Sequence, residues 1–213
     1  MRVALIADVH ANAVALEAVL AHLKTEQPDQ IVCLGDVGTP GPDPTGAIER
    51  LRALNIPVVM GNWDEWLLQA HGKEGTDAGI PWMRQIDDWC AAQLSHADIA
   101  YLRTFRSTVR IALDQDTAIL CFHGSPYSTT DLIVATTPPI DLDRMLSGHH
   151  AAVLAGGHVH TPLIRRHRDM LIVNPGSVSE SIDVYSRPPQ VRFNPWAEYA
   201  LIDWKAGALS IIL

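Results

Sequence analysis

Five short apolar segments of this chain each run into a polar residue, and this arrangement constrains the fold more than any other feature. The polar residues that follow these segments are Asp8 and His10, Asp36, Asn62 and Asp64, His123, and His158 and His160. Short continuous apolar runs are typical of strands whose sheet is covered on both faces. In open α/β sheets, a functional site forms just beyond the carboxyl ends of the strands. The sequence therefore predicts a layered α/β fold in which these side chains meet at one edge.

The first 64 residues alternate between apolar strands and amphipathic helices. Strands are predicted at 3–7, 30–34 and 57–60, and helices are predicted at 13–27 and 47–54. An alternating order of strands and helices is typical of a parallel sheet with right-handed crossovers. This part of the chain therefore favours the α/β class.

Residues 65–105 read as a helical insertion, and the part of the chain that follows reads mainly as strands with one short helix at 139–146. The apolar side chains at helical spacing in the insertion are Trp82, Ile86, Trp89, Cys90 and Leu94, and we predict that they pack in the core or against it. No repeat, linker or low-complexity segment divides the sequence, so a single domain over 1–213 is expected.

Composition argues against nucleic-acid and membrane partners. The chain has 213 residues and a net charge of -8, and it lacks the clusters of Lys and Arg that an extended nucleic-acid interface needs. No apolar window is long enough to span a membrane, and no signal peptide is recognised, so a soluble cytoplasmic protein without a membrane partner is expected. Cys33, Cys90 and Cys121 form no paired motif and are predicted to be buried reduced thiols.

The side chains at the predicted edge include the nitrogen and oxygen ligands typical of metal sites. The candidate ligands are Asp8, His10, Asp36, Asn62, His123, His158 and His160. This set exceeds what one ion needs, and it suits two divalent ions that share a bridging carboxylate. Mixed Asp, Asn and His ligation without a thiolate suits Mn²⁺, Fe or Zn²⁺ better than a soft metal, and the order of metal affinities does not choose among them. Mn²⁺ is the first expectation, with Fe, Zn²⁺ or Ni²⁺ as alternatives.

The motif order D-x-H, GD, GN-x-D, HG and GH-x-H resembles that of the calcineurin-like metallophosphoesterase superfamily. The segments ADVHANAVALEAVL and LGDVGTPGPDP are similar to its small bacterial and archaeal phosphodiesterase branch. The resemblance implies a four-layer α-β-β-α sandwich of two mixed sheets flanked by helices. It also implies a dinuclear metal-dependent phosphoesterase that attacks phosphodiesters with a metal-bridging hydroxide.

The same resemblance implies a role for each candidate ligand. One ion would be held by Asp8, His10 and His160, the other by Asn62, His123 and His158, with Asp36 bridging both. Asp36, Asn62 and His123 would be the catalytic residues, and Asn62 would also contact a phosphate oxygen.

Trp63 is a departure from the pattern that this resemblance implies. Many relatives carry a histidine at this place, which protonates the leaving group, whereas an indole does not titrate near neutral pH. General-acid catalysis is typically worth about 10²–10⁴-fold in rate. Its loss predicts a preference for esters with good leaving groups, such as diesters or aryl phosphates. Asp64 is then predicted to cap a helix that begins at Glu65.

Two alternatives stand beside the phosphodiesterase interpretation. The first is a phosphomonoesterase, including a protein phosphatase, and the second is a catalytically weak metal-binding scaffold that uses its surface for partners. The expected substrate is a small phosphoester, and nucleic acid is expected only as a small nucleotide or a cyclic nucleotide. No pattern selects an oligomeric state. The histidines predicted to be solvated or polar loop residues are His22, His71, His96, His149, His150 and His167.

Overall fold

The computed structural model describes residues 1–70, 81–179 and 195–213. The helices in these ranges are α1 (Ala13–Glu26), α2 (Pro44–Leu54), α3 (Asn62–Ala70), α4 (Pro81–Gln93), α5 (His96–Leu102) and α6 (Pro139–Met145). The strands in the same ranges are β1 (Arg2–Ile6), β2 (Gln30–Cys33), β3 (Val109–Ala112), β4 (Ala118–Cys121), β5 (Val153–Ala155), β6 (Leu163–His167), β7 (Met170–Asn174), β8 (Ala200–Lys205) and β9 (Ala208–Ile212). Within the described ranges, each helix is too short or too polar to cross a membrane.

The strands form two sheets, and both are mixed. The first sheet has the order β2-β1-β8-β9, in which β1 and β2 are parallel and the other neighbours are antiparallel. The second has the order β3-β4-β5-β7-β6, with a parallel centre and antiparallel pairs at both edges. The candidate ligands Asp8, Asp36, His123 and His158 all follow strands of the parallel pairs.

Alternation along β1 explains the layers. Val3 and Leu5 lie in an apolar cluster between the two sheets, whereas Ala4 and Ile6 lie in the cluster between the first sheet and its helices. Successive side chains of a strand point to opposite faces, so a strand that is apolar throughout must be covered on both sides. A third cluster joins Phe122 to α6 on the outer face of the second sheet. The four-layer α-β-β-α sandwich of two mixed sheets is confirmed.

The predicted strand at 57–60 is reduced to two isolated bridges. Val58 pairs with Cys33, but Val59 pairs with Arg106, so the segment changes partner after one residue. The Val59 N–H donates to the Cys33 carbonyl at 2.8 Å, and the Met60 N–H donates to the Arg106 carbonyl at 2.8 Å. Neither pairing is long enough to form a ladder. The segment still runs parallel to β2 and delivers Asn62 to the same edge.

The insertion helices pack on the outer face of the first sheet, but not with all the side chains that were predicted. Cys90 is buried and Leu94 packs against the core, whereas Ile86 is 36% exposed and Trp89 is 47% exposed. The buried face of α4 instead contains Asp87 and Cys90, which lie one turn apart. The predicted packing of Ile86 and Trp89 is therefore wrong, and the side chain of Trp82 lies outside the described part of the chain.

The three cysteines are buried free thiols, as predicted. Burial raises the pKa of Cys33 and of Cys121, because a thiolate is poorly stabilised in an apolar interior. These thiols act as small apolar core residues.

Candidate metal centre

The candidate ligands follow the strands that meet at one edge of the sandwich. Asp8 and His10 follow β1, Asp36 follows β2, Asn62 begins α3, His123 follows β4, and His158 and His160 follow β5. The structure brings them together as two adjacent groups. This convergence is the one expected for the carboxyl ends of neighbouring parallel strands.

The first group consists of Asp8, His10 and His160, whose ligand atoms all lie within 4.8 Å of one another. Nε2 of His10 lies 3.0 Å from Nε2 of His160, and the latter lies 3.5 Å from Oδ1 of Asp8. Two nitrogens bound side by side on one ion at about 2.1 Å would be about 3.0–3.4 Å apart, for bond angles between those of an octahedron and a tetrahedron. The spacing therefore fits a shared cation.

The second group consists of Asp36, His123 and His158, again within 4.8 Å. Nε2 of His123 lies 3.2 Å from Oδ2 of Asp36 and 3.1 Å from Oδ1 of Asn62. The two groups adjoin, because the same nitrogen of His123 is 4.0 Å from Oδ1 of Asp8. The candidate ligands of the two groups, together with Asn62, thus form one continuous polar cluster.

Backbone carbonyls fix two of the imidazole rings. Nδ1 of His10 lies 2.7 Å from the Thr39 carbonyl, and Nδ1 of His123 lies 2.7 Å from the Leu34 carbonyl. A carbonyl can only accept a hydrogen bond, so each Nδ1 carries the proton and donates it. The proton on Nδ1 leaves the Nε2 lone pair of the neutral ring free for a cation.

The backbone of the site adopts an uncommon conformation. Asp8, His10, Asp36, His158 and His160 have φ angles of 56°, 44°, 55°, 70° and 53°. The left-handed region costs a residue with a side chain roughly 1–2 kcal/mol. Such conformations persist where the surrounding fold imposes them, and they concentrate at functional sites. The conformational cost is thus borne by the residues that carry the candidate ligands.

Glycines allow the loops around Asp36 to approach one another. Gly35 has a φ of 102°, and a side chain on it would meet the backbone nitrogen of Gly61 at 2.7 Å. A side chain on Gly61 would collide with Oδ1 of Asp36. The glycines of the GD and GN motifs are therefore required by the tight packing of two strand ends.

The carboxyl group of Asp36 and the imidazole of His123 are buried side by side, and each favours the charged form of the other. Burial opposes ionisation of Asp36, but the adjacent His123 outweighs it and holds the pKa of Asp36 below its usual value. The reverse holds for His123, whose pKa is raised because Asp36 outweighs burial. Oδ2 of Asp36 is buried and lacks a hydrogen-bond partner among the described residues. A buried anionic oxygen of this kind fits a bound cation.

Asp64 does not have the predicted role. Helix α3 begins at Asn62, so Asp64 lies in its first turn and does not precede it. Its carboxylate accepts hydrogen bonds from the backbone N–H groups of Asp36 at 2.8 Å, Val37 at 2.9 Å and Gly61 at 3.1 Å. Burial, and then the charge of Asp36, raises the pKa of Asp64 to about 6. Asp64 therefore ties the loop after β2 to the start of α3.

Residues near the C-terminal end of β7 support the same edge. The side chain of Asn174 donates to the Gly157 carbonyl at 2.6 Å, and Ser177 donates to the Asp8 carbonyl at 2.9 Å.

Trp63 is partly exposed, and its backbone N–H donates to Oδ1 of Asp36 at 2.9 Å. Trp63 therefore lies directly beside the candidate ligands.

Among the described residues, the histidines outside the site are exposed except for His149, which is partly exposed beside the Tyr127 ring, and His167. His22, His96 and His150 are exposed, and His150 pairs with Asp169 at 2.9 Å. His167, which was predicted to be solvated, is buried at the end of β6 and lies 2.9 Å from Asp143. The last position of an edge strand faces inward here, and the sequence pattern does not reveal that. His71 lies outside the described residues.

A sandwich with Asp and His ligands at the carboxyl ends of its strands defines a class of metal-dependent hydrolases. Residues 1–204 match the family model described as the calcineurin-like phosphoesterase superfamily domain. The chain therefore belongs to the calcineurin-like phosphoesterase superfamily, as its motif order predicted.

The chain is also similar to individual proteins. The chain is 24% identical to an uncharacterised protein of Methanocaldococcus jannaschii, over 99% of this chain and 86% of that protein. It is 27% identical to the solved structure of a metallophosphoesterase from Sphaerobacter thermophilus, with a TM-score of 0.74 and coverage of 99% of this chain and 86% of that one. The structure of a hypothetical protein from Pyrococcus horikoshii OT3 is 20% identical, with a TM-score of 0.78 and the same coverage of 99% and 86%.

Proposed function

We propose that this protein hydrolyses phosphodiesters with two divalent cations held at the edge of the sandwich. The observation that carries the proposal is the pair of adjoining ligand groups, which meet where Nε2 of His123 lies 4.0 Å from Oδ1 of Asp8. Membership of the superfamily supports a metal-dependent phosphoesterase, and so does the similarity to the metallophosphoesterase from Sphaerobacter thermophilus. The two-ion site and the diester substrate are the parts that we add.

The residues divide between the two cations as follows. Asp8, His10 and His160 would hold one ion, Asn62, His123 and His158 would hold the other, and Asp36 would lie between them. When bound, divalent ions neutralise phosphoryl oxygens and lower the pKa of water that acts as the nucleophile. We propose Mn²⁺ first, because nitrogen and oxygen donors without thiolate suit it.

The chain itself supplies orientation and charge. The carbonyls of Leu34 and Thr39 hold the two imidazole rings before an ion binds, so little reorganisation is needed. Oδ1 of Asp36 is held by the Trp63 N–H, which leaves Oδ2 for the cations. A preorganised set of donors stabilises developing charge at low cost.

The preference for esters with good leaving groups rests on Trp63. The indole cannot deliver a proton to a leaving group near neutral pH. Leaving groups that depart as stable anions are then hydrolysed faster than alkoxides that need protonation. We therefore propose esters with an acidic leaving group, such as diesters or aryl phosphates, as the preferred substrates.

The test is the variant Asp36→Asn, assayed with bis-p-nitrophenyl phosphate and Mn²⁺. Asparagine keeps the oxygen that accepts the Trp63 N–H but removes the charge, so we expect hydrolysis to fall by on the order of 10³-fold. Asp116→Asn is the matched control, because Asp116 is exposed in the turn between β3 and β4, at the opposite end of β4 from His123.

Three outcomes contradict parts of the proposal. An Asp36→Asn variant with more than about a tenth of the wild-type rate removes the mechanism. Faster turnover of p-nitrophenyl phosphate than of the diester favours the phosphomonoesterase. Metal binding without hydrolysis of any ester favours the scaffold.

A further inference from the structure

Asp87 on α4 is a buried carboxyl group that the proposed function does not use. Among the described residues, the buried side-chain atoms without a hydrogen-bond partner are Asp36 Oδ2, Asp87 Oδ2 and Tyr101 Oη. The Asp36 atom belongs to the candidate metal centre. An unpartnered carboxylate oxygen in the interior costs stability, so Asp87 requires an explanation other than core stabilisation.

A short chain of hydrogen bonds joins Asp87 to the first ligand group. The hydroxyl of Thr39 donates to Oδ1 of Asp87 at 2.7 Å. The carbonyl of the same Thr39 accepts from Nδ1 of His10 at 2.7 Å. Asp87 and Thr39 are both fully buried, and His10 is 1% exposed. Helix α4 is therefore connected to the His10 imidazole through a single intermediate residue.

The loop that contains Thr39 is braced by a second residue of α4. The thiol of Cys90, three residues after Asp87, lies 3.4 Å from the Gly41 carbonyl. Residues three apart share one face of a helix, so both contacts come from the buried face of α4. A side chain on Gly41 would collide with the His10 carbonyl, which shows how closely this loop packs on the ligand segment.

In the second ligand group, the His123 ring is held by the sheet and not by the loop that contains Thr39. Nδ1 of His123 is held by the carbonyl of Leu34, which directly follows β2 and is fixed by the Leu34 N–H bond to the Ile6 carbonyl at 2.8 Å. The sheet therefore orients His123, whereas a loop supported by α4 orients His10. The two groups should respond differently to changes in α4.

We propose that Asp87 is a positioning residue for the ligand group of Asp8, His10 and His160. It fixes Thr39, and the Thr39 carbonyl fixes the His10 ring with Nε2 directed at the other two ligands. The inference rests on the proposed two-cation function and adds that α4 controls one of the two metal sites. Hydrogen-bonded partners of metal ligands typically change metal affinity by about 10–100-fold when they are lost.

The first experiment measures Mn²⁺ binding by calorimetry, with metal content after dialysis as the stoichiometry. We expect the wild type to bind two ions, and Asp87→Ala and Thr39→Val to weaken one of them by about 10-fold while the other is unchanged. The effect should lie at the low end of the range for a lost partner of a ligand, because both variants keep the Thr39 carbonyl. Asp87→Asn keeps the oxygen that accepts the Thr39 hydroxyl and should restore most of the affinity. Asp88→Asn is the matched control, because Asp88 is the exposed neighbour of Asp87 on the same helix.

The second experiment observes the metal-free protein, so that the result does not depend on activity. Nitrogen NMR of the imidazoles should show His10 protonated at Nδ1 in the wild type and in Asp87→Asn. In Asp87→Ala and Thr39→Val, the His10 signals should move toward a mixture of tautomers while the His123 signals stay in place. Thermal unfolding identifies a variant that has lost its fold, and the remaining variant of the pair then decides the result.

The possible results are distinguishable. Folded Asp87→Ala and Thr39→Val variants that bind both ions as the wild type does would overturn the proposal, and so would equal weakening of both sites or an unchanged His10 tautomer. If the wild type binds fewer than two ions, the two-cation function fails, while the NMR comparison still decides whether Asp87 positions His10.

Discussion

The polar groups at the two ends of β1 differ in exposure and in pairing. At its start, the Arg2 guanidinium donates to both carboxylate oxygens of Asp203 at 2.8 and 2.9 Å and to the Glu26 carbonyl at 2.9 Å. The Arg2 backbone N–H donates to Asp29 at 2.6 Å. Just beyond its other end, Asp8 is buried in a left-handed conformation beside histidines.

The difference shows what each end contributes. The groups around Arg2 are paired and partly exposed, so solvent screens them and they add modestly to stability. The groups around Asp8 are buried, close together and conformationally strained, which costs stability in the free protein. Complete pairing is typical of a structural role, and concentrated, strained polar groups are typical of a binding site. The predictions below test this contrast.

The largest effect is expected at the ligand end, for Asp8→Asn. Asparagine keeps one oxygen to accept the His158 N–H but loses the charge, so hydrolysis of bis-p-nitrophenyl phosphate should fall by on the order of 10²–10³-fold. The thermal midpoint in a chelator should not fall by more than about 2 °C. A clear loss of stability with activity retained would show that Asp8 is structural and would remove the contrast.

A smaller effect, on stability alone, is expected at the capping box of α5. Asp98 is buried and accepts from the Ser95 N–H at 2.9 Å, the Ser95 hydroxyl at 2.6 Å and Arg52 at 3.0 Å. Asp98→Ala should lower the free energy of unfolding by about 2 kcal/mol in urea denaturation and leave activity unchanged. Asp98→Asn keeps an acceptor for Ser95 and should lose less. Equal losses in the two variants would contradict a role for the cap.

The same residue gives a pH dependence with a defined sign. Burial opposes ionisation of Asp98, but the hydrogen bonds from Ser95 and the charge of Arg52 outweigh it and lower its pKa. The folded pKa therefore lies below the unfolded value of about 3.9, so the stabilisation is present above about pH 4. It is lost as the pH falls through the folded value. Denaturation between about pH 2.5 and 6 should show a shallower acid dependence for Asp98→Asn than for the wild type.

The smallest effect is expected at the paired end of β1, for Asp203→Asn. Arg2 keeps its contacts with Glu26, so the free energy of unfolding should fall by only about 0.5–1 kcal/mol. The difference from the wild type should shrink in high salt, because partly exposed charges are screened. Urea denaturation at low and high NaCl measures both. A change in hydrolysis rate would contradict the separation of the two ends.

Much of the architecture could be predicted from local pattern. Helices α1 and α2 and the strands that carry Asp8, Asp36, His123 and His158 follow from apolar runs that end in polar residues. The prediction at 57–60 was only partly right, because a strand is defined by its partners, and Val58 and Val59 pair with different ones. The predicted packing of Trp89 was wrong because periodicity alone did not identify the buried face of α4.

The sequence by itself determined which side chains are candidates for ligands and that they lie at strand ends, because strand period and polarity are local properties. Only the tertiary structure decided what holds those side chains in place. The Leu34 carbonyl that orients His123 is 89 residues from it in the sequence. Asp87 is 48 residues from Thr39, whose hydroxyl donates a hydrogen bond to it. Every residue except proline has the same backbone groups, so a carbonyl that orients a ligand has no signature in the sequence. It is selected by packing, which joins segments that are distant along the chain.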